Sequence, residues 1–363
     1  MKEAMVTAVP KSNQEKKIGR FRKQIISLLV LAIGLLAVMV LATSLGSVNV
    51  PFGNTFGIMV SKILFFLDFS NPWWTDSQAV IIFDIRLPRV VMAAICGAAL
   101  AVAGATYQGL FRNPLADPYL IGVAQGAAFG AVLAIFLPIA WSSFSSWLVP
   151  LFAFSGALLV TFLVYRISKI GNILPTSTLI LAGIALGAFF SAGVSYIISI
   201  SATKSHSMVL WLMGSFNNTM WSEVWVTLPI IAVGVIILIF FGRSLNIMQL
   251  GDEQAKQLGV NVERDKKLLL VVSTLITAAA VAFVGIIGFV GIIIPHAVRL
   301  LWGPDYRFLL PLSILLGAIF MVTTDIMARY FFAPAEIPIG VITAVCGAPF
   351  FLYLLRTKMK SIF

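Results

Sequence analysis

Leu268-Leu-Leu-Val-Val-Ser-Thr-Leu-Ile-Thr-Ala-Ala-Ala-Val-Ala-Phe-Val-Gly285-Ile-Ile-Gly288-Phe-Val-Gly291-Ile-Ile-Ile-Pro295-His296-Ala-Val298 contains no charged side chain apart from the titratable His296. A helix that crosses a bilayer takes about 20 mostly apolar residues. These 31 residues are too many for one ordinary span and few for two. Gly285, Gly288 and Gly291 interrupt the run and Pro295 follows, which predicts two short helices hinged near the glycines. Eight further charge-poor runs lie near 24–45, 88–111, 119–140, 147–167, 174–200, 224–241, 308–330 and 337–355, so the count becomes ten.

The distribution of basic residues tests that count, because Lys and Arg collect on the cytoplasmic side of a membrane protein. Ten spans with a cytoplasmic N-terminus put 20 of the 25 basic residues inside and leave Lys62, Arg86, Arg89, Lys204 and Arg329 outside. Merging the glycine-hinged pair would expel Arg299, Arg307 and the basic C-terminus. Both termini are therefore expected in the cytoplasm, and the net charge of +11 reads as a topology signal that needs no nucleic acid. Composition agrees: 60% of the 363 residues are hydrophobic and only 11% charged, too few charges to clothe a soluble fold of this length. Disorder, collagen-like repeats and a disulfide scaffold are excluded by the same figures. Cys96 and Cys346 lie in apolar runs and read as small buried residues. The first apolar run is too long for a signal-peptide core and lacks an A-x-A cleavage pattern, so the first helix should be retained.

The expected organisation is a basic cytoplasmic tail (1–23), a ten-helix transmembrane domain (24–356) and a short cytoplasmic C-terminus (357–363). Residues 46–87, with Pro51, Pro72, Trp73 and Trp74, form an external loop carrying interfacial aromatics. Residues 242–267 form the longest polar segment between spans. Within it Leu250, Ala255 and Leu258 can share an apolar face, and Asp252 and Lys256 an i,i+4 pair, on a short helix between Gly251 and Gly259. Such a helix is a solvated connector or a docking element for a soluble partner.

Close helix packing in lipid needs small side chains. Ala93, Gly97, Ala101, Ala105 and Gly109 make one smooth stripe; Gly183, Gly187, Ser191, Ser195 and Ser199 make another, which is either a packing seam or, where the serines cluster, the wall of a solute path. Catalytic signatures are missing. No H-E-x-x-H, G-x-S-x-G or Cys/His cluster occurs, and His206 and His296 are too isolated to suggest a metal site. No P-loop occurs either. The spans hold almost no ionisable groups, the exceptions being Asp325 and Arg329 toward one end of the ninth. That scarcity favours a transport subunit powered by a separate ATPase over a self-sufficient secondary transporter or channel, with a polytopic intramembrane enzyme third.

Six motifs then occur in order: Arg86-Leu-Pro-Arg89; Gly104-Ala-Thr-Tyr-Gln-Gly109-Leu-Phe-Arg-Asn113-Pro-Leu-Ala-Asp117-Pro118; Leu181-Ala-Gly183-Ile-Ala-Leu-Gly187; Leu250-Gly251-Asp252-Glu253-Gln254-Ala255-Lys256-Gln257-Leu258-Gly259; Gly285 to His296; and Glu336-Ile-Pro-Ile-Gly340. From about residue 86 onward the chain resembles the FecCD-type permeases of ABC importers, which carry iron chelates, haem or cobalamin. The resemblance implies an all-α type II importer fold of ten transmembrane helices per chain, a second permease copy (a homodimer expected), two cytoplasmic ABC ATPase subunits that bind the ATP, and an extracytoplasmic binding protein that delivers the substrate. No permanently bound cofactor or metal is expected. It also implies that 250–259 docks on the ATPase, and that Asn113, Pro114 and Leu115, with Thr176 and Ser177, form the inner gate. Pro175 before the threonine is a modest departure from the family pattern. Arg86, Arg89 and Arg329 match positions that grip acidic residues of the binding protein, the alternative being headgroup contacts or pairing with Asp84 or Asp325. Residues 1–23 fall outside the resemblance and read as a tail near anionic lipid.

Overall fold

The computed structural model describes residues 13–46, 48, 50–63, 73–138, 145–171, 173–331 and 335–359. The start of the basic tail, Pro72 and the last basic residue, Lys360, lie outside them. Among the described residues the fold is all-helical, with one isolated β-bridge between Ile170 and Ile173. The helices are α1 (Asn13–Ser44), α2 (Phe52–Ile63), α3 (Asp76–Val80), α4 (Leu87–Leu110), α5 (Val123–Phe136), α6 (Ser145–Ser168), α7 (Thr176–Ile200) and α8 (Ser205–Met213). They continue with α9 (Trp221–Phe240), α10 (Gly242–Met248), α11 (Asp252–Gln257), α12 (Val262–Val284), α13 (Val290–Trp302), α14 (Tyr306–Tyr330) and α15 (Ile339–Met359). Seven helical stretches are long and apolar enough to cross a membrane, and three shorter apolar helices, α5, α13 and part of α15, complete the ten expected spans.

α4 runs through the centre, packed on α14, α12 and α13, and almost all of it is buried. Its small-residue stripe is why. Gly97 meets the backbone of Gly317 so closely that a Cβ would overlap the Gly317 carbonyl, and Gly104, about two turns further along the same face, abuts Gly291 in the same way. In lipid, where the hydrophobic effect does not press helices together, such backbone approach supplies the attraction. α5 and α6 pair through Gly126, Gly130 and Gly156 by the same device.

The long run breaks where its glycines predict. α12 ends at Val284, residues 285–289 are irregular, and α13 begins at Val290. Irregular backbone among transmembrane helices must find its hydrogen bonds within the protein. Here Ser215 N–H donates to the Val284 carbonyl (2.8 Å), and Ile339 N–H donates to that of Gly214 (3.0 Å). The Tyr119 hydroxyl donates to the Ile287 carbonyl (2.9 Å) and accepts from Ile287 N–H (3.3 Å). Gly214 and Gly285, at φ 73° and 77°, adopt the left-handed backbone that only glycine takes without strain. Phe289 also has positive φ, 70°, and packs against Gly347 of α15.

Three expectations need correction. The external segment is not a plain loop, because α2, α3 and a π-helical turn at Ile81–Arg86 lie in it, α3 opened by a Thr75–Gln78 capping box. α8 was not expected; nine residues are too short to register as a span, yet it packs on α5, α7 and α15. Cys96 is buried, but Cys346 is exposed on α15.

Candidate functional site

One end of the bundle carries Arg112, Arg166, Lys169, Lys267 and Arg299, and is called here the basic end. There α4 closes at Leu110 and the chain turns through Arg112 to Pro118. Arg112 adopts φ 51°, a left-handed conformation rare outside glycine, and Asn113 ties the turn by accepting from Leu115 N–H (3.0 Å) through its side chain. Asn113 is exposed; Pro114 and Leu115 are half-buried. The second expected gate segment is not a turn throughout: Pro175 caps α7, and Thr176 and Ser177 are its first two residues. Thr176 is half-buried and Ser177 exposed. The turn is held by Ser168 and Thr178, each hydroxyl donating to the other's carbonyl (3.1 and 3.0 Å), and by Leu174 N–H donating to Glu263 (3.2 Å).

The polar segment folds as α10 and α11. Asn246 binds α10 to the start of α14, donating to Asp305 (2.7 Å) and accepting from Tyr306 N–H (2.9 Å). In α11 the expected geometry is only partly present. Ala255 is fully buried while Leu250 and Leu258 are exposed, so the three do not form one face. Gly259, at φ 85°, ends the segment. Glu253 and Lys256 are exposed, and Asp252 does not pair with Lys256. It reaches Arg112 (3.2 Å) and the nearly buried Lys266 of α12 (2.5 Å) instead, because a local pair on an exposed turn yields to a buried cation that has to be matched. The first turn of α11 is thus bonded to the residue preceding Asn113, and Gly251 lies against the Arg112 guanidinium.

Asp117 sits in the same turn and accepts from Tyr119 N–H (2.8 Å). Burial pushes its carboxyl from the ordinary 3.8 up to about 6. The folded chain therefore holds this proton more tightly than the unfolded chain, and stability falls as pH rises between those values. Asp117→Asn keeps an oxygen for Tyr119 and should flatten the change in melting temperature between about pH 4 and pH 7. A variant profile parallel to wild type would contradict the assignment.

At the opposite end, Arg86, Arg89 and Arg329 do not project as free cations. Arg86 donates to the carbonyls of Thr43 (3.2 Å), Ser44 (2.8 Å) and Val48 (2.5 Å), capping the C-terminus of α1. Arg89 bridges Asp325 (2.9 Å) and Glu336 (3.0 Å), and Arg329 contacts Asp325 (3.0 Å) while donating to the Ala42 and Leu45 carbonyls. Asp325 is fully buried, so its charge demands this pairing. Pairing with Asp325, the alternative raised from the sequence, is thus present for Arg89 and Arg329, whereas Arg86 is held by carbonyls and not by Asp84; of this cluster, Glu336 is the most exposed member. Beside it a cavity of about 490 Å³ opens among α8, α9 and α12, lined by Glu223, Glu336, Ser207, Ser215 and Asn217. On α7, Gly183 and Gly187 pack against Leu120 and Gln125, whereas Ser191, Ser195 and Ser199 stay exposed in the single chain.

Residues 34–357 match the FecCD transport family. The chain belongs to that family. Among its FecCD relatives, the cobalamin import permease BtuC of Halobacterium salinarum is 47% identical over 78% of this chain and 75% of its own. The hemin transport permease HmuU of Yersinia pestis is 39% identical over 91% and 97%, and the ABC transporter permease YvrB of Bacillus subtilis 41% over 94% and 96%. A solved structure described as an inward-facing conformation of a metal-chelate type ABC transporter is 34% identical and superposes with a TM-score of 0.79, covering 91% of this chain and 98% of its own. This FecCD chain is thus a multi-pass ABC permease subunit, a transport component. Its match begins at residue 34, well before residue 86, so the end of α1 and the external segment lie within the family match. The internal pairing of the arginines had no sequence signal beyond the four-residue spacing of Asp325 and Arg329, since Glu336 and the α1 carbonyls are distant in the chain.

Proposed function

We propose that the chain is the permease of a binding-protein-dependent ABC importer for a bulky metal chelate or tetrapyrrole: a ferric siderophore, haem or cobalamin. The hemin and cobalamin relatives support this substrate range. Two copies would enclose the path, with both termini cytoplasmic and the basic end facing the cytosol. Ser191, Ser195 and Ser199 suit such a path, since hydroxyls pass a polar solute without holding it and gain nothing against lipid. Asn113 to Leu115, with Thr176 and Ser177, are its inner gate.

The observation that carries this reading is α11: a short helix flanked at the basic end by the exposed Leu250 and Leu258, while Asp252 anchors it to the gate turn. That is what a contact for a cytoplasmic ATPase requires, a presented surface and a rigid link to the path. Ala255→Pro removes the hydrogen bond to the Gly251 carbonyl (2.9 Å) and costs about 3 kcal/mol in a helix interior. ATPase copurification should drop while the permease still inserts; unchanged yield and unchanged ligand-stimulated hydrolysis would sink the reading.

At the opposite face a binding protein engages Arg89 by displacing Glu336, with steering that salt weakens. Glu336→Gln removes this internal competitor and should tighten docking at low salt. If docking is unaffected by Glu336→Gln and also by Arg89→Ala, the cluster is purely structural.

A further inference from the structure

We infer that the groove between α6 and α12 at the basic end is a binding site for one anionic glycerophospholipid. It encloses about 250 Å³ and is lined mainly by apolar atoms, with Phe162 and Val271 exposed at its mouth. Exposed apolar rims on two membrane-crossing helices open toward acyl chains, which fixes the chemistry of one part of the occupant.

Two polar groups fix the rest. Thr161 is 5% exposed, yet its hydroxyl has no hydrogen-bond partner among the described residues and it lines the groove. A buried hydroxyl without an acceptor is costly, and a lipid ester carbonyl is an acceptor at the right depth. Lys267 lines the same groove, is exposed, and forms no ion pair among the described residues. From Lys267 to Thr274 the helix rises on the order of 10 Å. The spacing suits a phosphate at the membrane surface above Lys267, glycerol esters near Tyr165 and Thr161, and the first methylenes beyond. Lys267 is the charged side chain that lines the groove itself, whereas the carboxylate one turn away, Glu263, is outside the lining and turned to Leu174 N–H, so the charge presented to an occupant is positive. This site depends on the chain lying in a membrane and not on what it transports.

The full chain, purified in detergent and placed in nanodiscs containing phosphatidylglycerol and phosphatidylcholine, is examined by native mass spectrometry for retained lipid. Wild type should retain one phosphatidylglycerol in preference to phosphatidylcholine. Lys267→Ala should reduce that preference about fivefold. Thr161→Val should weaken retention without lowering thermal stability, because it also removes the orphan hydroxyl. Val271→Trp should fill the groove and abolish retention. Wild-type retention in both Lys267→Ala and Val271→Trp would overturn the site. So would efficient disulfide cross-linking between copies through cysteines at 162 and 271, which would mean that a second chain covers the groove. Lys267→Ala lies at an exposed position, so the test survives if the tryptophan variant fails to fold.

Discussion

Gly104→Ala should be among the most damaging single-methyl substitutions in this chain. A Cβ at Gly104 would overlap the carbonyl, Cα and carbonyl carbon of Gly291, backbone atoms that cannot swing aside as a side-chain tip can. α4 and α13 would have to separate at the point where α13 starts after the irregular 285–289 segment. Overpacking typically costs about 1–3 kcal/mol, and a backbone obstacle belongs at or above the upper end. We expect the variant to lose most of its monodisperse peak in fluorescence-detected size exclusion, or to melt well below wild type. Gly288→Ala is the matched control, since a Cβ there meets nothing within 4 Å. Equal behaviour of the two variants would refute the tight α4–α13 crossing.

The second large effect is expected at Asp252. Asp252→Asn leaves the Lys266 ammonium almost buried with its charge unmatched, and breaking such a pair costs roughly 3–5 kcal/mol. It also releases Arg112 from the first turn of α11. Amide hydrogen exchange in α11 should accelerate on the order of a hundredfold, since each 1.4 kcal/mol is a factor of ten. Adding Lys266→Met to Asp252→Asn removes the orphan charge and should restore most of the protection, while the link to Arg112 stays broken. In the proposed importer the double variant would then hydrolyse ATP with its helix seated but move less solute per ATP. If exchange in α11 is the same in Asp252→Asn as in wild type, the carboxylate does not hold the helix.

The sequence made the span count legible because the signal is compositional: the glycines at 285, 288 and 291 split a charge-free run, and α12 and α13 meet there. The stripe of Ala93, Gly97, Ala101, Ala105 and Gly109 was legible as a seam because small residues at helical spacing have one main use in lipid. α8 was not, since its nine residues are held by packing on α5, α7 and α15 and by flanking bonds from Lys204 to the carbonyls ending α5 and from Ser215 N–H to that of Val284, contacts visible only in three dimensions. Asp252 looked like a partner for Lys256 because spacing reveals local pairs alone, and the buried Lys266 outcompeted it. For Arg86, Arg89 and Arg329 the same limit applies: pairing of Arg329 with Asp325 could be raised from their spacing, but nothing local announces that the carbonyls ending α1 and the distant Glu336 converge on the three arginines.

The most direct test of the central claim is uptake by the chain in liposomes reconstituted with its cytoplasmic ATPase and its binding protein, using radiolabelled cobalamin, haemin and a ferric siderophore, with ATP or ADP trapped on the ATPase side. The account predicts that one of these substrates accumulates only when ATP, the ATPase and the binding protein are all present, and that Ala255→Pro abolishes accumulation. Uptake at an equal rate without the ATPase, or uptake driven by a proton or sodium gradient alone, would contradict it.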